Sequence, residues 1–180
     1  MKRRTYLTVS ALTLVSALAG CSTMDRSSSP NLERNASWVV LPFENHTETP
    51  MAGNRAEAIA TTILQTKAVG SVKRYSSTSG STDALFAATE TAAAGDAALR
   101  WAKEQGAAYA LTGAVDEWRY KVGVDGEPAV GVALRIIDVN TGATVWSAAG
   151  GKSGWSREAL SAVGQKLIRS LLNSGLSNIR

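Results

Sequence analysis

The only cysteine of the 180-residue chain, Cys21, directly follows an apolar stretch with a positively charged start. A single thiol cannot close an internal disulfide, and it is too few for a cysteine-based metal site. The charged start is Lys2 to Arg4, and the apolar stretch runs from Tyr6 to Ala19. This pattern is typical of a secretory signal peptide, and the stretch falls short of the about 20 residues that a membrane-spanning helix needs. Residues 1–20 are therefore predicted to be removed, and the fold must be built from the residues that follow.

Removal of this leader changes the charge of the chain. The full sequence has 19 basic and 15 acidic residues, and its formal net charge is +4. Three of the basic residues lie in the leader, so the mature chain keeps 16 and has a net charge of +1. This nearly neutral balance gives no reason to expect a nucleic-acid partner, or a partner membrane that is bound through charge.

The sequence Leu18-Ala19-Gly20-Cys21 resembles the lipobox of bacterial lipoproteins. The resemblance implies that Cys21 receives a diacylglyceryl thioether, becomes the first residue after cleavage and is then N-acylated. Because each buried CH₂ contributes roughly 0.8 kcal/mol and one acyl chain holds only marginally, two or three chains give a durable anchor. In such lipoproteins, an aspartate directly after the cysteine prevents sorting to the outer membrane. This chain has Ser22 at that position, which implies the outer membrane. The alternative is an ordinary signal peptide with an incidental cysteine.

The residues after Cys21 divide into a spacer and one domain. Residues 22–36 are rich in serine and poor in apolar residues, so the acylated cysteine and this segment, 21–36, are predicted to form a flexible, solvated tether. A coil of about 15 residues spans roughly 20 Å, and it reaches about 50 Å when fully stretched. The remaining residues, 37–180, suit a single domain with one core.

Periodicity within 37–180 predicts alternating strands and helices. The apolar run from Trp38 to Phe43 predicts a buried strand, and the helical spacing that follows predicts a helix that Thr49 caps and that ends before Gly70. The later elements are predicted as a strand at Val72–Tyr75, a helix capped by Asp96, strands at Ala108–Val122, Ala129–Val139 and Ala143–Ala149, and an amphipathic C-terminal helix capped by Ser156. This order predicts an α/β domain with a mixed sheet of about five strands and helices packed on it.

The sequence contains no convincing motif for covalent chemistry. His46, the only histidine, is interpreted as a solvated or capping loop residue rather than a catalytic one. Gly151-Lys152-Ser153 looks like the end of a phosphate-binding loop, but Trp146 occupies the position of the first glycine that such a loop requires. Adjacent carboxylates on a strand, such as Asp116 and Glu117, point to opposite faces and make a poor acid–base pair. We therefore expect no enzyme, no cofactor and no metal.

Several runs of residues resemble a family of envelope lipoproteins. The runs LPFEN, AYALTGAV and RIIDVNTGATVWS resemble the group that includes the TolB amino-terminal domain, LpoB and CsgG, and imply a fold like that TolB domain. The runs NHTETPMAGNRAEAIA, VDEWRYKVGVDGEPAVGVALRIIDV and GGKSGWSREAL are similar to the PelC family, the outer-membrane lipoproteins of Pel exopolysaccharide export. This similarity covers nearly all of residues 37–172. The stretch SSTSGSTDALFAATETAAAG, residues 76–95, matches no pattern of the family, and its role stays open.

The PelC resemblance implies a non-enzymatic role in export. PelC-like proteins form a homo-oligomeric ring, of about twelve subunits, at the periplasmic face of the outer membrane beside the β-barrel protein PelB. An acidic funnel in this ring guides a cationic amino-sugar polymer toward the pore. The run SGWSRE implies that Trp155 is the family's membrane-proximal tryptophan; the alternative is that Trp155 packs the start of the last helix onto the core.

Four carboxylates around one predicted hairpin are candidates for the polymer-guiding surface: Asp116, Glu117, Asp125 and Glu127. Opposite charges about 8 Å apart attract by roughly 0.5–2 kcal/mol, which is weak enough for a polymer to slide while it is retained. The alternative is a solvated charged hairpin that Arg119 and Lys121 partly neutralise.

A regulatory or assembly module of the LpoB, CsgG or TolB kind is the competing function. Activation of a synthase in the inner membrane, as LpoB-like proteins perform it, requires a long spacer across the periplasm. The short predicted tether, about 50 Å at most, favours work close to the outer membrane.

Overall fold

The computed structural model describes residues 22–67, 70–75, 91–123 and 126–180, so that the predicted leader, Cys21 and Asp125 lie outside the described residues. Within these ranges the elements are, in chain order, β1 (Ser22–Arg26), β2 (Trp38–Asn45), α1 (Ala52–Thr66), β3 (Val72–Arg74), α2 (Thr91–Glu104), β4 (Tyr109–Tyr120), β5 (Pro128–Asp138), β6 (Thr144–Ser153) and α3 (Leu160–Gly175).

The strands form one mixed sheet in the order β1-β6-β5-β4-β2-β3. The run β4, β5, β6 is an antiparallel meander, and β1 pairs antiparallel with β6. β2 lies parallel to both β4 and β3. The predicted α/β class with a mixed sheet is confirmed, and the described residues contain six strands because β1 adds one at the edge.

The larger part of the core lies between one face of the sheet and the helices α1 and α3. Alternate residues of β5 are buried on this face because a strand directs successive side chains to opposite sides. Two buried tryptophans, Trp118 and Trp146, lie so close to Gly164 and Gly175 that a β-carbon at either glycine would overlap the indole. The predicted amphipathic C-terminal helix is present as α3, and it has glycines at the two positions where the indoles pack against it.

A second, smaller apolar cluster lies on the other face of the sheet, where α2 covers the first residues of β2 and β4. Ala98 and Ala102 of α2 pack there against Val39, Leu41 and Ala110. In the described part of the chain no helix covers this face over the far half of β4 or over β5, β6 and β1. That open face presents its side chains to solvent.

Residues 22–36 differ from the predicted coil. Ser22–Arg26 pairs with β6, Ser27 N–H donates to the Ser147 carbonyl at 2.9 Å, and Leu32 is buried beside the C-terminus, where it bridges to Ile179. The segment is thus ordered along its length, because an edge strand can pair through its backbone whatever its side chains are. The residue that follows Cys21 already belongs to the sheet.

The three predicted helix caps are wrong. α1 begins after Met51, whose φ is 58°, and the Thr49 hydroxyl donates to the Trp118 carbonyl instead of capping the helix. α2 begins at Thr91, which places Asp96 inside the helix. α3 begins after Ala159, and Ser156 lies in the preceding loop. For Thr49 a tertiary hydrogen bond replaced the local signal, and for Asp96 the helix starts earlier than the signal indicated.

Candidate functional site

A β-bulge in β4 shapes the most acidic part of the open face. The register with β5 shifts between Val115 and Glu117, so Asp116 is an extra residue. A β-carbon placed on Gly131 would lie 3.8 Å from the β-carbon of Asp116 and 3.4 Å from that of Glu117. The expectation that these adjacent carboxylates point to opposite faces is therefore wrong, because the bulge interrupts the alternation of the strand.

His46 connects Asp116 to a second carboxylate on β2. Its Nδ1 lies 2.9 Å from Asp116 Oδ1, and its Nε2 lies 3.0 Å from Glu44 Oε2. The backbone places the ring, since His46 N–H donates to the Val115 carbonyl beside the bulge at 2.9 Å. The hydrogen bond to Asp116, and then that to Glu44, raises the pKa of His46 above its ordinary value of 6.5. The histidine is exposed, as expected, and it bridges two carboxylates that the sequence did not associate with it.

A fourth carboxylate comes from β1. Asp25 and Asp116 line the same shallow hollow of the open face, whose floor includes the small residues Ala149 and Gly151. We call Asp25, Glu44, Asp116 and Glu117 the acidic surface. Arg119 Nε donates to Glu117 Oε1 at 3.0 Å, so one of the four charges is partly neutralised.

The remaining predicted acidic candidates lie elsewhere. Glu127 is exposed at the start of the β5 hairpin, where its carbonyl accepts a hydrogen bond from Lys121 N–H at 2.7 Å. Lys121, which is hydrogen-bonded to Glu127, is four residues beyond Glu117. Glu127 therefore lies roughly 13 Å from Glu117 at the usual rise of a strand. Asp125 lies outside the described residues. The structure thus brings Asp116 and Glu117 together with Asp25 and Glu44, and places Glu127 near the end of the hairpin.

Sequence reasoning missed Asp25, Glu44 and His46 as members of this surface. The sequence assigns Asp25 to the tether, and its place depends on a pairing with residues more than 120 positions away. Glu44 and His46 come directly after the apolar run from which the sequence predicts a strand. Because successive side chains of a strand point to opposite faces, two residues that are two positions apart lie on the same face, and this spacing was the available signal.

Trp155 lies at one end of the sheet, which we call the Trp155 end. β1 and β5 begin there and β4 and β6 finish there, since Ser22 pairs with Lys152 and Tyr120 pairs with Pro128. Trp155 follows β6 by two residues, and 59% of its surface is exposed. This exposure disfavours the alternative in which Trp155 packs onto the core.

Hydrogen bonds fix the loop that contains Trp155. Trp155 N–H donates to Glu158 Oε2 at 3.2 Å, and Lys166 Nζ donates to Glu158 Oε1 at 2.6 Å. The bond from Lys166, followed by that from Trp155, lowers the pKa of Glu158 below its ordinary value. The other four tryptophans are packing residues: Trp38, Trp118 and Trp146 are buried, and Trp101 stacks edge-on against Tyr75 at 5.2 Å.

Within the described residues, no three side chains of histidine, cysteine, aspartate or glutamate are grouped so that they can hold a metal ion. None of their helices combines the length and the apolar character that crossing a membrane requires.

The architecture defines a fold class, an open mixed sheet flanked by helices, and lipoproteins of known structure share it. The solved structure of lipoprotein GNA1162 from Neisseria meningitidis superimposes with a TM-score of 0.52, covering 77% of this chain and 96% of that chain. Because the two sequences are only 17% identical, this likeness shows the fold alone.

The particular family follows from two more similar structures, both of PelC dodecamers from Paraburkholderia phytofirmans. One is 41% identical, covers 89% of this chain and 99% of that chain, and has a TM-score of 0.73. The other, of a single-residue variant of that protein, is 40% identical over 89% and 100% of the two chains, also with a TM-score of 0.73. The chain belongs to the PelC family, as its sequence runs predicted. No protein-family model matches the chain, and no curated protein matches it.

Proposed function

We propose that this protein is the lipid-anchored subunit of a homo-oligomeric ring that guides a cationic amino-sugar polymer to an outer-membrane β-barrel protein during Pel exopolysaccharide export. The observation that supports it most is the 41% identity to a protein that forms a dodecamer, over 89% of this chain. The role requires no covalent chemistry and no cofactor.

The acidic surface supplies the interaction with the polymer. Asp25, Glu44, Asp116 and Glu117 gather on one face of a subunit whose mature net charge is only +1. Repetition of this surface around a closed ring would concentrate negative potential in its interior, where weak charge contacts retain a polycation and still let it slide. Glu127 would extend the acidic lining toward the end of the hairpin, and Asp125, outside the described residues, stays a candidate from the sequence alone.

The anchor holds the ring at the periplasmic face of the outer membrane. Cys21 is proposed to be acylated, and Ser22, the next residue, begins β1. The domain therefore adjoins its lipid directly, with Trp155 at the same end of the sheet. This arrangement argues against the competing LpoB-like function, because a domain without a free spacer has no means of reaching a partner at the inner membrane.

Assembly on lipid tests this function directly. The acylated protein, purified in detergent and reconstituted on a lipid monolayer, is expected to form closed rings in electron micrographs. A Cys21→Ser variant is the matched control, and it should appear in the soluble periplasmic fraction. A strict monomer on lipid and in light scattering would overturn the ring, and a Cys21→Ser protein that remains tightly membrane-bound would overturn the anchor.

A further inference from the structure

β1 is held to the sheet mainly through its backbone. It pairs with β6 along its whole length, but all five of its side chains are exposed. Met24, its one large apolar side chain, keeps 42% of its surface exposed, and its sulfur accepts a hydrogen bond from the Ser170 hydroxyl at 3.4 Å. Because docking of β1 buries little apolar surface, its separation from β6 costs far less free energy than unfolding of the domain.

The segment that follows β1 is held by serine hydrogen bonds. Ser27 N–H donates to the Ser147 carbonyl at 2.9 Å, and the Ser29 hydroxyl donates to the Gly175 carbonyl at 3.1 Å. Water can replace such partners when the segment leaves the surface, so these bonds add little to the cost of separation.

The chain is fixed more firmly at Leu32. This side chain is buried, with 2% of its surface exposed, and its backbone bridges to Ile179. The Leu32 carbonyl accepts a hydrogen bond from Arg180 N–H at 3.0 Å, and Arg34 N–H donates to the Arg180 carbonyl at 2.7 Å. Opening that begins at β1 is therefore expected to stop at Leu32. It releases residues 22–31 together, and we call this segment the strap.

Closing of the strap adds a negative charge to a face that is already negative. Asp25 and Asp116 line the same hollow, whose floor includes the small, uncharged residues Ala149 and Gly151. β6 and β5 lie between β1 and β4, so the backbones of β1 and β4 are roughly 14 Å apart at the usual strand spacing, and both aspartates face the hollow between them. Because like charges repel, Asp25 opposes the docking of its own strand, and a cation in the hollow would favour it.

We propose that the strap opens and closes on β6, and that a polycation bound at the acidic surface holds it closed. This inference rests on the proposed guiding role and adds that the polymer changes how the subunit is tethered. A ligand stabilises the state to which it binds more tightly, and only the closed state presents Asp25 beside Asp116.

The two states differ in how far an anchored domain reaches. With the strap closed, the domain adjoins its proposed anchor at Cys21. With the strap open, its ten residues span at most about 33 Å, at about 3.3 Å for each residue. A subunit without polymer is then free to orient itself while the ring assembles, and a subunit that carries polymer is held at the membrane.

Hydrogen exchange with and without a cationic oligosaccharide tests the strap. The acylated full-length protein in detergent is mixed with a glucosamine oligosaccharide, which has an ammonium group on each unit, or with its neutral N-acetylated form of the same length. Low ionic strength is used because salt screens exposed charges. Calorimetry measures binding, and mass spectrometry follows exchange in Ser22–Arg26 and, as the internal reference, in 32–34.

Asp25→Asn is the test variant, because it removes the charge that opposes closing and keeps the size of the side chain. Glu104→Gln, an exposed carboxylate outside the acidic surface, is the matched control. Without ligand, Asp25→Asn should exchange more slowly in Ser22–Arg26 than the wild type and should respond less to the cationic oligosaccharide. Glu104→Gln should behave as the wild type.

In the wild type, the cationic oligosaccharide is expected to slow exchange in Ser22–Arg26 severalfold, while the neutral form leaves it unchanged and 32–34 stays protected throughout. If the cationic oligosaccharide binds and exchange in Ser22–Arg26 does not change, the strap is wrong and the guiding role stands. If it does not bind to the wild type, the guiding role and the strap are both wrong.

Discussion

At the scale of single residues, His46 gives the acidic surface a pH-dependent charge. When protonated it binds Asp116 and Glu44 as an ion pair, and when neutral it leaves both carboxylates uncompensated. Its pKa is raised in the folded protein, so it is more often protonated there than in the unfolded chain. Acidification therefore reduces the net negative charge of the acidic surface.

His46→Gln should lower the free energy of unfolding in acid more than in base. The stabilisation from a raised folded pKa is fully present below the unfolded value of 6.5 and is lost as pH rises through the folded pKa. Because the groups are exposed and solvent screens them, we expect at most about 1 kcal/mol at low pH. Urea unfolding of both proteins on either side of neutrality measures this. A difference that is the same at both pH values would exclude the bridge.

At the scale of elements, β1 would determine how close the domain lies to the proposed lipid anchor. As part of the sheet it places Ser22, the residue after the proposed anchor, at the Trp155 end, whereas a free coil would let an anchored domain move away from the membrane. It also contributes Asp25 to the acidic surface. In the proposed function, the edge strand thus links the lipid anchor to the acidic surface.

Hydrogen exchange should distinguish the strand from a coil. Those amides of Ser22–Arg26 that point toward β6 are expected to exchange more slowly than an unstructured peptide of the same sequence, because opening must precede exchange. The exposed amide of Gly123 in the hairpin is the internal reference. Coil-like exchange at every residue of 22–26 would restore the flexible tether.

The same elements show how far the sequence predicts this fold. The meander β4–β6 and the helix α3 were predictable because their apolar residues repeat with the period of a strand or a helix over ten residues or more. β1 was not, since all five of its residues are exposed and its pairing depends on a distant strand. The bulge at Asp116 likewise has no local signature, yet it turns two adjacent carboxylates to one face. The residues of the acidic surface were therefore only half predictable.

At the scale of the whole molecule, the subunit is polarised although its predicted mature net charge is nearly neutral. Carboxylates gather on the open face of the sheet, and exposed apolar side chains, among them Trp155, lie at the Trp155 end. The core lies between the sheet and α3, so the carboxylates and the outer surface of α3 are on opposite sides of the domain. In a ring, each subunit would repeat this polarity. The polymer-guiding surface would then lie directly below the membrane where the barrel opens.

The most direct test is export by cells whose only copy has the paired change Asp116→Asn and Glu117→Gln. Both side chains are at least partly exposed, so we expect the protein to fold, reach the membrane and assemble, while secretion of the cationic polysaccharide falls severalfold. Glu33→Gln with Glu104→Gln, two exposed carboxylates outside the acidic surface, is the matched control and should secrete normally. Undiminished secretion by the Asp116 and Glu117 variant, at normal protein levels, would contradict the proposed guiding role.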